Sequence, residues 1–476
     1  MEWLTRPGLF ALACCGALGL GLIGVQAQEG GLDPSFQPGG GNNGGFNDEV
    51  LPIVLQPDGR ILVGGVFTTV NRVSRNGVAR LKADGSLDET FDPGTGADNL
   101  VEALVLQPDG KVIIGGRFLT VGGVSQAYLA RLNADGSLDA DFRPALDDFV
   151  FCLALQSDGQ ILVGGRFQSI GGLARPRLGR VQSNGLPDPP FAANGGPDLP
   201  VHTVAAQQDG KILIGGQFTQ VAATPRARVA RLQANGAVDA AFDPGSGADR
   251  TVYVVGAQAD GRVMLGGEFL EVNGVTRLHL ARLESTGALD ESFQPAIKQT
   301  YGGVLNLHLQ PDGKVLIVGD FLRIADGTGE YVWWPYVARL QADGSLDATF
   351  QTSGTFSDAS GFPVLARGLA LQADGPVLVG GRFTTFAGVK INRIARLQAL
   401  PAVESHTPRF ELVSWLNPGT CRLTITALSG QSYVLEATSD FAEWTPLQTK
   451  VAADATCTFE DASGGWSQRF YRVLAR

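Results

Sequence analysis

The segment Leu55-Gln-Pro-Asp-Gly-Arg-Ile-Leu-Val-Gly-Gly-Val-Phe67 recurs six more times along the chain, and its reading decides the fold. Its Asp-Gly step falls at Asp58, Asp109, Asp158, Asp209, Asp260, Asp312 and Asp374, with a Phe nine residues after each Asp. Successive copies lie 49 to 52 residues apart, except for a last interval of 62. A second half-repeat follows each copy, first as Ala79-Arg-Leu-Lys-Ala-Asp-Gly-Ser-Leu-Asp-Glu-Thr-Phe91. Both halves set apolar runs on either side of a turn whose glycine supplies the positive φ of a tight hairpin. Two hairpins per unit give four short antiparallel strands in about 51 residues, the size of a propeller blade.

The phase of the repeat predicts closure. The seventh unit runs to Ala395-Arg396-Leu397 and stops without its Gly-x-Leu-Asp-x-x-Phe strand. That strand stands instead at Gly30-Gly31-Leu32-Asp33-Pro34-Ser35-Phe36. An N-terminal strand that completes the last blade removes the free edges a linear array would expose. The expected fold is all-β: a seven-bladed β-propeller over 28–399, closed by an N-terminal strand. A linker at 400–408 leads to a C-terminal module over 409–476. There, strand-like runs separated by Asn417-Pro-Gly and Ser429-Gly predict a small β-sandwich with Trp444 and Phe470 in its core.

These motifs resemble the delta-60 repeat family of exported bacterial proteins, which carries Gln-Pro-Asp-Gly-Lys-Ile-Leu-Val-Gly-Gly-x-Phe and Ala-Arg-Leu-x-x-Asp-Gly-Ser-Leu-Asp. The resemblance covers most of the chain; it implies a β-propeller and no assigned activity. Departures are local: Val318 replaces the first Gly in unit six, and Asn184, Asn235 and Thr286 replace the second turn's Asp. Tyr433-Val-Leu-Glu-Ala-Thr-Ser-Asp, Trp444-Thr-Pro-Leu and Arg469-Phe-Tyr-Arg472 are similar to a short terminal module of exported bacterial proteins, which implies no chemistry.

Composition agrees with a turn-rich β protein. The 476 residues include 64 glycines, and 44% are apolar. That apolar share excludes disorder, and the glycines lack the period of three that collagen needs. A net charge of −10 argues against a nucleic-acid partner, which would need a basic face. Arg6, the apolar run from Gly8 to Val25 and Val25-Gln26-Ala27 read as an export signal over 1–27. The mature protein is then secreted or periplasmic, with no membrane span left after cleavage. Export permits disulfides. Cys421 and Cys457, both in strand-like stretches, are expected to pair, the alternative being two buried thiols; Cys152 reads as inert core.

Residues repeated in every unit read as scaffold. Arg80 and its six counterparts bridge strands or blades, and Asp88 and its counterparts accept from them. Function is expected where the units differ. Unit six carries an insertion with Tyr331, Trp333, Trp334 and Tyr336, an aromatic platform suited to sugar rings or peptide side chains. The connection from Gln351 to Pro363, also long, is expected on the same face. A second candidate is the inner-strand position seven residues before each Asp-Gly, where Glu102, His202, Tyr253 and Arg367 converge on the mouth of the central channel. His near Glu is the minimum for acid–base work. The chain has no His-Glu-x-x-His, no Gly-x-Ser-x-Gly and no phosphate loop, so neither cofactor nor metal is expected. The expected role is non-catalytic binding of glycan or extracellular protein, with a glycan hydrolase or lyase at the channel mouth as the alternative.

Overall fold

The computed structural model describes residues 30–38, 44–191, 195–320, 323–325, 331–333, 336–350, 352, 354–373, 375–398, 410–417, 420–426, 432–438, 445–453, 456–461 and 470–475. The expected export signal, the linker and Trp444 lie outside these residues. The chain forms two compact units, Gln28–Leu400 and Pro401–Arg476. Among the described residues no helix is long and apolar enough to cross a membrane.

Blade one shows how the repeat folds. The inner strand Val50–Leu55 pairs with Ile61–Gly65, which pairs with Val78–Leu81. A single bridge from Leu81 to Leu87 adds the outermost strand. The first turn is locked by Gly59, at φ +82°, and by the Arg60 amide donating to Asp58 Oδ1 at 3.1 Å. Ile61–Gly65 is buried along its whole length, because neighbouring blades cover both of its faces. That sandwiching explains the Gly-Gly pair. A Cβ on Gly64 would stand 3.0 Å from Val101 of the next blade, and one on Gly65 would stand 2.0 Å from the Glu49 carbonyl oxygen. In blade six Val318 takes the first Gly position, and there the next blade offers Ala366 in place of Val. The two side chains share one buried cluster, a swap that conserves volume.

The ring closes. Seven inner strands pack each on the next, and Ala366–Leu371 packs on Val50–Leu55. The N-terminal segment supplies the outer strand of blade seven: Leu32 bridges Leu397, and the Asp33 amide donates to the Arg396 carbonyl at 2.8 Å. The fully buried phenylalanines lie between blades, so the core is a set of seven inter-blade layers. One such layer joins Leu62 and Val78 of blade one to Phe91, Val101 and Phe118.

The repeated arginine is a staple between blades. Arg80 Nε donates to Asp88 Oδ2 at 2.7 Å, Nη1 reaches the Ala134 carbonyl in the next blade's second turn at 2.7 Å, and the guanidinium lies over Phe91. Arg131, Arg180, Arg231, Arg282 and Arg396 make the same set of contacts. Arg396 spans the closure, joining Asp33 of the N-terminal strand to the Ala83 carbonyl of blade one at 2.7 Å. Burial pushes the Asp347 carboxyl up, but hydrogen bonds from Thr349, Lys314 and Arg339 outweigh it and hold the group at about 2.

The second unit consists of two three-stranded antiparallel sheets. One is Phe410–Asn417, Thr420–Thr426 and Thr456–Asp461; the other is Thr445–Val451, Ser432–Thr438 and Phe470–Ala475. The strand Thr445–Val451 escaped sequence reading because it is an edge with little apolar alternation. Cys421, Leu423, Ile425, Tyr433, Leu435, Cys457 and Phe459 form the core; for Phe470 only the backbone is described. The expected disulfide is corrected here: Cys421 and Cys457 are free and buried. Register is the reason. Cys421 stands opposite Asp461 and Cys457 opposite Ile425, four positions away on the same strand. That offset is about 13 Å of strand, beyond the roughly 7 Å that a disulfide spans.

Candidate functional site at the channel mouth

Each inner strand begins with a β-bulge. In blade three Val150 pairs with Gly165 and Cys152 with Gly164, so Phe151 is the extra residue. The same irregularity singles out Glu102, His202, Tyr253, Leu305 and Arg367, and in blade one the stretch holding Leu51. A bulge leaves its extra residue unpaired and re-aims the side chain. The inner strands run from this end toward the Asp-Gly turns, so the bulges ring the channel on the opposite face, where the long connections lie.

The bulged side chains meet their neighbours around the mouth. Phe151 and His202 stack with ring centroids 5.0 Å apart, and Tyr253 meets His202 edge-on at 5.6 Å. The Tyr253 hydroxyl donates to Glu268 at 3.3 Å. Arg117 Nε donates to Glu102 at 2.8 Å and its guanidinium lies over Phe149 and Phe151. Arg166 lies over the same Phe149 and pairs with Asp148 at 2.7 Å. On the far side Arg367 and Arg382 flank Glu49.

Burial dominates the titration of these groups. It lowers His202 to about 4, against the pull of Glu268, so the imidazole is neutral at physiological pH. Its Nε2 is buried without a hydrogen-bond partner. Burial also raises Glu102, although Arg117 and then Arg367 draw it back down, and it raises Glu49 against Arg367 and Arg382. Glu102 and His202 are not joined by a hydrogen bond; Phe151 occupies the blade between them and stacks on the imidazole.

Arg117, Arg166, Glu268 and Arg382 were missed in the sequence. They occupy the single variable position between Gly-Gly and Phe in each unit, and that variability was their only signal. Another position was also passed over. Gly77, Tyr128, Arg177, Arg228, His279, Tyr336 and Arg393 each precede the third strand with φ between 63° and 78°.

That position corrects the reading of Tyr336 as a platform contact. It belongs to the repeat and not to the insertion, and it is buried with Phe350, Phe356, Phe383 and Phe386. Burial raises its hydroxyl to about 12. Of the other platform residues, Trp334 lies outside the described residues, while Tyr331 and Trp333 are described only as strand backbone pairing with Ala325 and Arg323. The long connection into blade seven folds into a strand, Phe356–Ser357, that pairs with Thr385–Phe386. It leaves Phe362 69% exposed, and Tyr301 on the connection into blade six is 58% exposed. Among the described residues no group of three His, Cys, Asp or Glu side chains could hold a metal ion.

These features define a closed seven-bladed propeller with a uniform scaffold and a varied channel mouth. The chain belongs to the family described as "Domain of unknown function (DUF5122) beta-propeller", whose model matches residues 56–91, 107–142, 156–191, 207–242, 258–293, 310–350 and 372–399. No curated protein matches the sequence. Similar solved structures include the extracellular domain of BT4673 from B. thetaiotaomicron, assigned to a hybrid two-component system. It is 14% identical over 83% of this chain and 44% of that one, with a TM-score of 0.45. A second structure of that domain, assigned to a one-component system, is 10% identical over 94% of this chain and 58% of its own, at 0.46. The chain thus spans about half the length of these two. Exo-β-1,3-galactanase Pc1,3Gal43A from Phanerochaete chrysosporium with galactose is 11% identical over 94% and 99% of the two chains, at 0.29. Likeness at this level carries no argument about activity.

Proposed function

We propose that this is an exported, non-catalytic binding protein that engages a glycan or an extracellular protein through the propeller face bearing the channel mouth. One observation carries the reading: the ionisable groups at the mouth are arranged to present surface and not to pass protons. His202 is neutral and wedged between Phe151 and Tyr253, and Glu102 is clamped by Arg117. Stacked aromatic and polar groups at the mouth suit a ligand with both apolar faces and hydroxyls. Tyr331, Trp333 and Trp334 are proposed as further contacts because sugar rings and peptide side chains stack on such aromatics, and the leader read over 1–27 supports a place outside the cytoplasm.

The second reading, a glycan hydrolase or lyase, rests on Glu102, whose burial raises its pKa as a general acid requires. A glycan and peptide array on the mature protein, with released products assayed in parallel, separates the two. Binding without product is expected, weakened at least tenfold by Phe151→Ala with His202→Ala and further by Trp333→Ala with Trp334→Ala. Released product that disappears in Glu102→Gln would establish the enzyme instead. No ligand on either array would remove the binding reading.

A further inference from the structure

Two guanidiniums at the mouth stand over one buried carboxylate without hydrogen-bonding to it. Arg367, at the blade-seven bulge, places Nε 3.5 Å from Glu49 Oε1, and Arg382, just after Gly-Gly in that blade, places Nε 3.6 Å from Oε2. The Glu49 side chain is 7% exposed, and Oε1 has no hydrogen-bond partner. Arg367 and Arg382 remain 42% and 62% exposed, and among the described residues neither side chain donates a hydrogen bond. A guanidinium carries five donors in a planar fork shaped for a carboxylate. Arg117 and Arg166 have already committed theirs to Glu102 and Asp148.

Arg393 adds a third cation to the same corner; it donates to the Arg382 carbonyl and its charge reaches Glu49. Asp48 also faces Glu49, so three arginines stand against two carboxylates and leave a small local positive excess in a chain whose net charge is −10. The rest of the mouth differs. Phe151 and His202 offer ring surface, while Glu102 and Glu268 offer only acceptors. Asn306 adds an amide that donates to the Arg367 carbonyl at 3.3 Å. Arg367 faces this wall closely enough for its charge to act on Glu102 and on Tyr253.

We propose that the mouth recognises a uronic-acid-containing glycan, whose carboxylate bridges Arg367 and Arg382 and whose hydroxyls meet His202, Tyr253 and Asn306. This rests on the glycan form of the reading above and names its ligand class. An acidic peptide fits less well, because it carries no ring hydroxyls for Tyr253 and Asn306 and no sugar face for the Phe151 and His202 rings. A uronate concentrates its charge on one edge of the ring and offers hydroxyls on the others. Glu49 keeps the two guanidiniums side by side, and the ligand carboxylate takes the forks that Glu49 leaves free.

Calorimetric titration of the full mature chain tests this with trimers of galacturonate, glucuronate and mannuronate, their methyl esters, and triglutamate. At least one acid binds about tenfold or more tightly than its own ester, which keeps every hydroxyl and loses only charge. Arg367→Ala with Arg382→Ala removes that preference and brings acid and ester to within about twofold of each other. Thermal melting confirms that the double variant retains the ring. Equal affinity for acid and ester, or a preference that survives the double substitution, overturns the inference while leaving glycan binding in place. Triglutamate binding more tightly than every uronate overturns it in favour of a peptide. Absence of any saccharide binding removes the glycan reading as well.

Discussion

The propeller uses arginine–carboxylate pairs in two regions, and they behave differently. In the staple, Arg231 and Asp239 are buried together at 2.7 Å, with a further bond from Arg231 to the neighbouring blade and Phe242 beneath the guanidinium. At the mouth, Arg367 and Arg382 hover near Glu49 and face water. The first arrangement recurs blade after blade; the second occurs at one corner. Uniform geometry holds a ring together, because each blade must present the same edge to the next. Varied geometry at the bulges can be altered blade by blade without disturbing that edge.

Deleting residues 28–36 breaks the comparison most severely. It removes Phe36 and Asp33 and so leaves Arg396 without its carboxylate. A fall in melting temperature of at least about 10 °C is expected. An unchanged melting curve would show that the seventh blade does not need its fourth strand.

Single arginine substitutions sharpen the contrast. Arg231→Ala strips buried Asp239 of its guanidinium and leaves it only Lys211 at 3.4 Å and the Ala241 amide, at a cost of about 3 kcal/mol. Arg367→Ala removes a half-exposed guanidinium from Glu49, which is buried but keeps Arg382 beside it, and costs less than about 1 kcal/mol. Denaturant midpoints compare the two directly. Similar losses at both sites would mean that the mouth arginine is also scaffold.

The smallest effect is in pH dependence, and its sign differs between the regions. Asp347 sits at about 2, below the ordinary 3.8. Its stabilisation is therefore present above pH 3.8 and is lost as pH falls through 2. Glu49 and Glu102 are raised, so their contribution is present at acid pH and is lost as pH rises through their folded values. Asp347→Asn should destabilise the protein at pH 7, with the deficit shrinking toward pH 2. Glu102→Gln should show no such deficit at pH 7. Parallel pH profiles for the two variants would refute the distinction.

The blades, the closing strand and the staple could all be read from the sequence, because a residue type repeated at fixed phase declares its own geometry. The bulge position was also legible, since Glu102, His202, Tyr253 and Arg367 vary between apolar neighbours. Their partners were not. Arg117 and Arg382 each fill one unconstrained slot in a motif, and only the bulge brings that slot beside the inner strand. Tyr336 misled because adjacency to Trp334 hid its membership of the left-handed position shared with Gly77 and His279. The cysteines misled because Cys421 and Cys457 belong to paired strands whose register, and hence the distance between them, no local pattern reveals.

The bond between Asp33 and Arg396 joins positions 363 residues apart. Among the strands of the ring, the one translated first is therefore seated last. Until blade seven exists, Leu32 and Asp33 lack their strand partner, while Phe36 and Gln37 can already rest on blade one, and the growing array carries two bare edges. Such long-range pairing slows folding and lengthens exposure to aggregation. The ring thus has a defined moment of completion. Before it, the protein is a stack of blades that could pair with another chain, and after it no inter-blade edge remains open.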